Sequence, residues 1–166
     1  MTRELKGQQA ARHALAVQAL EAELGKVAAA PNSQAGVFCF GHRAGWNTDP
    51  KRKVEEVLYQ PKYRIQIPPD LKPYADVEAI VAPGVFGNRE LAQVKATLAT
   101  VRPWGETPLY LAIDTARDSF AGPGRIVVIT DGQNDVYQPA PQFNVTLADL
   151  LRKHRPGVAV HMIAFG

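Results

Sequence analysis

The chain has 166 residues, of which 46% are apolar and 21% charged, and its formal net charge is +3. A chain of this length fits one domain and buries roughly 70% of its unfolded surface on folding. The 19 Lys and Arg are nearly balanced by 16 Asp and Glu, and the densest basic run, Lys51-Arg52-Lys53, is followed at once by Glu55-Glu56. This is a mixed solvated surface, and it argues against nucleic acid as a partner. Cys39 is the only cysteine, so no intramolecular disulfide forms. Its place in the apolar run Val37-Phe38-Cys39-Phe40 predicts a buried, inert thiol. No apolar stretch approaches the ~18 residues of a membrane span, and the N-terminus lacks the apolar core of a secretory signal. The default expectation is a cytoplasmic protein.

In chain order, Ala10, Ala14, Val17, Leu20, Leu24 and Val27 recur at spacings of three and four, which predicts a helix from about Gln8 to Val27. Pro31-Asn32-Ser33 breaks it. Val37 to Phe40 is a short apolar run suited to a buried strand, ended by Gly41. Residues 42–75 hold five prolines, and no long regular element is expected there. Val77 to Val81 reads as a strand ended by Pro83-Gly84, and Arg89 to Val101 as a helix through Leu91, Val94, Leu98 and Val101.

Thr107-Pro108 opens the next helix, with threonine at the N-cap and proline at the first helical position. Its inner face is Leu109, Ala112, Ile113, Ala116 and Phe120. Ile126 to Ile129 is the clearest buried strand, with Asp131-Gly132 turning at its carboxyl end. A last helix is expected over Thr146 to Lys153, then a strand over Val158 to Phe165. Strands alternating with helices predict an α/β domain with a mostly parallel sheet.

In an open parallel sheet, ligands bind at the carboxyl ends of the strands. Three segments lie there: Gly41-His42-Arg43, Gly105-Glu106-Thr107-Pro108, and Asp131 to Asp135. Thr107 offers a hydroxyl and Asp131 a carboxylate, both hard oxygen donors suited to a divalent cation. Each also has a plainer reading, Thr107 as a helix cap and Asp131-Gly132 as a turn.

The segment Trp104 to Ala112 resembles the threonine loop of von Willebrand factor type A domains. Arg125 to Gly132 resembles their following strand and aspartate loop. Gly36 to Arg43 is similar to their second strand, and Val160 to Gly166 to the strand after the aspartate loop. The likeness covers nearly the whole chain and is weakest over residues 42–75. It implies one domain over residues 1–166 with a three-layer α/β/α, Rossmann-like fold. The function it implies is protein–protein interaction without catalysis.

The family's metal-ion-dependent adhesion site joins an Asp-x-Ser-x-Ser loop, a threonine and an aspartate around Mg²⁺ or Mn²⁺, and an acidic group of the partner completes the coordination. The resemblance makes Thr107 a direct ligand and Asp131 an outer-shell carboxylate. The Asp-x-Ser-x-Ser pattern is absent from the sequence. Met1 corresponds, on this likeness, to a methionine that directly follows the serine loop in many members, so the first strand and that loop are expected to be missing. A further helix and strand are expected to be missing beyond Gly166.

Such a loss has physical consequences. Burial of three or four Val or Ile side chains from a central strand contributes roughly 5–10 kcal/mol, against a total domain stability of about 5–15 kcal/mol. Four strands, marginal stability and weak or absent metal affinity are therefore expected. The strands flanking the loss would keep unpaired inner edges unless they close up or recruit another chain.

Enzymatic readings fit less well. Aspartate-nucleophile phosphatases need a second Asp two residues after the first, where this chain has Gln133. His13, His42, His154 and His161 fall in four different elements with no metal-ligand spacing. Gly122-Pro123-Gly124 precedes a strand, whereas phosphate-cradling glycines follow one. A metal-independent interaction module is the stronger rival. Trp46, Trp104, Tyr110 and Tyr137 lie on or beside the binding-edge loops, where aromatic residues anchor interfaces or simply pack loop on sheet. His42 and Arg43 could meet an acidic partner.

Overall fold

A computed structural model describes residues 2–41, 77–101, 107–130, 134, 145–153 and 155–164. Among them are four helices and four strands: α1 (Thr2–Ala29), β1 (Gln34–Phe40), β2 (Val77–Val85), α2 (Asn88–Leu98), α3 (Leu109–Asp118), β3 (Gly124–Thr130), α4 (Leu147–Arg152) and β4 (Val158–Ala164). The chain is a mixed α/β structure. Its strands form two separate pairs: β1 with β2, antiparallel, and β3 with β4, parallel. The single, mostly parallel sheet expected from the sequence is not formed by the described strands.

The first pair is organised by the alternation of β1. Ala35, Val37 and Cys39 face a core built from α1, β2 and α2, while Phe38 and Phe40 point the other way and pack with α3 and β3. Both faces of β1 are thus apolar, as the unbroken run predicts. Cys39 is half-buried against the first core, less enclosed than expected. On the helices, Leu24 of α1 meets Val94 and Leu98 of α2, and Val94 is fully buried. The side-chain amide of Gln93 donates to the Ile80 carbonyl at 2.8 Å and ties α2 to β2.

Strand β2 runs through Pro83-Gly84, which was expected to end it. The register explains how. Val37 pairs with Val81 and Ala35 with Gly84, so β2 carries an extra residue at Ala82–Pro83. A bulge is one of the few places in a ladder that tolerates proline. It also requires Gly36 opposite, because a Cβ there would sit 2.8 Å from Pro83 Cγ and 2.9 Å from its backbone nitrogen. A second slip between Val37 and Phe38 lets the consecutive Ile80 and Val81 both enter the first core.

The second core lies on the opposite side. Leu109, Ile113 and Ala116 of α3 pack on Ile126 and Val128 of β3 and on Leu150 of α4. Burying each large aliphatic side chain there contributes roughly 1.5–3 kcal/mol. Helix α3 spans both strand pairs, touching β1 and β2 as well as β3. Strand β4 is the outer strand of its pair, and Val160, Met162 and Ile163 remain 44–54% exposed. Among the described residues, no helix is long and apolar enough to cross a membrane.

Candidate functional site

Thr107 sits at the entry to α3, half-buried and in an isolated β-bridge. It does not cap the helix as expected. Pro108 is the N-cap residue, with φ −74° and ψ 58°, the backbone of an inverse γ-turn. The Leu109 N–H donates to the Thr107 carbonyl at 2.7 Å, which closes that turn. The Ala112 N–H then donates to the Pro108 carbonyl at 2.9 Å and begins the helical ladder. Pro108 and Leu109 are both buried, so the turn is pinned from below.

The first-turn donor left by this arrangement finds a distant partner. The Tyr110 N–H donates to Oδ1 of Asn134 at 3.0 Å. Asn134 follows β3 by four residues in sequence, so one hydrogen bond ties its side chain to the first turn of α3. Sequence reading placed both segments at the same sheet end without seeing Asn134 as the link. Asparagine is among the best capping residues, but a partner 24 positions away leaves no local pattern to find.

Asp131, the second expected metal residue, lies outside the described residues, as do His42, Arg43, Trp46, Trp104 and Tyr137. Tyr110 is half-buried, its ring packed against the second core. It therefore contributes more to that core than to an open surface.

A metal site tests poorly on what is described. Thr107 is one hydroxyl oxygen, and the Asn134 amide oxygen is already occupied by Tyr110 N–H. Mg²⁺ takes about six oxygens and gives up its waters reluctantly. The helix N-terminus also carries partial positive charge, which opposes a cation unless a carboxylate stands between. Among the described residues, no group of three or more His, Cys, Asp or Glu is placed to share an ion. The described residues alone do not make a Mg²⁺ or Mn²⁺ site.

Among the described residues, the densest charged cluster lies farther along α3. Arg117 pairs with Asp114 one turn before it and donates to the Leu150 carbonyl at 2.9 Å. Lys153 reaches the other Asp114 oxygen at 2.7 Å. Asp114 holds the Lys153 ammonium above its ordinary pKa through that hydrogen bond and its charge. Arg155 donates to the carbonyls of Arg117 and Phe120 at 3.0 and 2.6 Å. Apart from the Arg117–Asp114 pair within α3, each of these contacts joins α3 or its C-terminal turn to α4 or to the segment after it. The cluster is a clamp with its partners satisfied, not a reactive centre. Comparison with protein-family models, characterised proteins and solved structures finds no match to this chain.

Proposed function

We propose that this chain is a non-enzymatic protein-interaction module of the von Willebrand factor A type, its strand pairs and helices forming a three-layer α/β/α domain. Its binding edge comprises the α3 N-terminus and the loop after β3. The observation that carries this reading is the bond from Tyr110 N–H to Asn134, which ties a residue that follows β3 to the first turn of α3. A partner carboxylate suits this edge, because the positive end of the α3 dipole favours an anion there. Thr107 and Asp131 are the remaining oxygens of the family's metal site. In this chain they are too few to hold Mg²⁺ or Mn²⁺ tightly, so binding proceeds largely without metal.

Site-specific photo-crosslinking in the cells that make the protein tests this reading. A benzophenone side chain replaces Arg89 on α2, Leu151 on α4 or, at the proposed edge, Thr107. The expected result is a discrete crosslinked partner from position 107 that survives chelation of divalent ions. Crosslinks from positions 89 or 151 with none from 107 would place the interaction elsewhere. Loss of the product on chelation would return the metal to the centre of the mechanism.

A further inference from the structure

Among the described residues, helix α4 is held to the fold mainly by polar contacts. Leu150 is its one buried side chain, whereas Leu147 and Leu151 are 53% and 67% exposed. Val145, just before the helix, is half-buried against the same core. The other attachments carry charge. Arg117 donates to the Leu150 carbonyl at 2.9 Å, and Lys153 at the C-cap reaches Asp114 at 2.7 Å. Arg155 donates to the carbonyls of Arg117 and Phe120 at 3.0 and 2.6 Å.

A helix of six residues does not persist in water by itself, where about 12–15 are marginal even for good helix formers. Arg117 serves one of the last-turn carbonyls that no helical N–H reaches, and its charge stands at the negative end of the dipole. Helix α4 therefore depends on being docked. The charges of the joint also ease its opening. Asp114 and Arg117 are nearly enclosed while α4 is in place, and water readmitted to them restores hydration that burial removed. An apolar joint regains nothing comparable when it parts.

We infer that α4 is a releasable latch, which undocks and melts as one unit while α3 and the two strand pairs stay folded. Release withdraws Leu150 from the core it shares with Leu109, Ile113, Ile126 and Val128. The ladder partners of Ile126 and Val128 are Val160 and Met162, already 44% and 54% exposed. The open chain thus presents an apolar surface that the closed latch withholds, the chemistry of a regulated contact. Lys153 is the trigger group, because its side chain is 56% exposed and bridges α4 to the enclosed Asp114. This device lies toward the C-terminal end of α3 and does not rest on the reading of its N-terminal edge.

Native-state hydrogen–deuterium exchange of the whole chain, followed across low urea concentrations, tests it. The amides of 150–153 are expected to exchange as one group, at least about tenfold faster than those of 112–116 and 126–129. Their shared urea slope should be above zero and smaller than that of global unfolding. Lys153→Gln is expected to speed this group by at least about threefold and leave 126–129 unchanged, while Lys153→Arg keeps the charge and most of the protection. Exchange of the group at the rate of 112–116 and 126–129 would mean that α4 parts only in global unfolding, and would overturn the proposal. So would a zero slope, which marks fraying of single bonds rather than release of a unit. A Lys153→Gln variant that changes nothing, or that speeds 126–129 equally, would overturn it as well.

Discussion

The Asn134 side chain caps the first turn of α3 from 24 residues away, accepting the Tyr110 N–H at 3.0 Å. Asn134→Ala is therefore expected to destabilise the chain by about 1 kcal/mol, the usual worth of a side-chain cap. Asn134→Asp keeps the acceptor, adds charge at the positive end of the helix and should cost little or nothing. Urea midpoints of the three proteins check this. Equal losses for Ala and Asp would mean that the cap contributes nothing.

Arg117 and Asp114 are almost enclosed, with side chains 7% and 12% exposed. Arg117→Met is expected to cost about 3–5 kcal/mol, because it strands a buried carboxylate that Lys153 alone must serve. The double change Arg117→Met, Asp114→Leu should recover much of that loss, since it removes both charges together. A double variant no more stable than Arg117→Met would show that the clamp acts through shape rather than charge.

Gly36 is expected to resist the smallest substitution. Gly36→Ala pushes a methyl against the Pro83 ring and backbone nitrogen at 2.8–2.9 Å, and overpacking of this kind costs about 1–3 kcal/mol. Exchange rates of the β1 and β2 amides should rise in parallel with the loss. A variant as stable as the parent would mean that the bulge at Pro83 is looser than its register implies.

Acid should loosen α4 before the rest. Thr146 caps this helix through a reciprocal pair, its hydroxyl taking the Asp149 N–H at 3.1 Å while the Asp149 carboxylate takes the Thr146 N–H at 2.9 Å. The hydrogen bond from the Thr146 side chain is the main cause that holds the Asp149 carboxyl below its ordinary value of 3.8, followed by the one from its backbone. A depressed carboxyl contributes stability above that ordinary value and loses it as pH falls through the depressed one. The loss thus lies below about pH 3.8. A carbon-13 titration of the Asp149 carboxyl should show the low midpoint and its return toward normal in Thr146→Ala. A midpoint at or above 3.8 in the parent contradicts the box. Lys153 behaves oppositely: its raised pKa keeps the contact with Asp114 intact at neutral pH and releases it only in strong alkali.

Local pattern made the elements legible and left their assembly obscure. The α1 stripe of Val17, Leu20, Leu24 and Val27, the two-faced run of β1, and Ile126 and Val128 in β3 were readable because burial imposes a period on the residues themselves. The end of β2 was not, because the bulge that admits Pro83 depends on a glycine 47 positions earlier. The cap at α3 was misassigned for the same reason. Thr107-Pro108 has the composition of a cap and first turn, whereas the γ-turn at Pro108 hands that task to Asn134 from across the sheet end. The clamp on Asp114 escaped notice, although an acid and a base three apart on an apolar helix face were a usable signal. The split between the strand pairs is a property of edges, which a periodic pattern does not encode.

The measurement that goes most directly to the central claim is isothermal titration of the chain with Mg²⁺ and with Mn²⁺, beside the double variant Thr107→Ala, Asp131→Ala. The account predicts no saturable binding at micromolar concentrations and the same trace from both proteins. Micromolar binding in the parent that vanishes in the variant would contradict it, because further oxygens would then complete the set that Thr107 and Asp131 leave short.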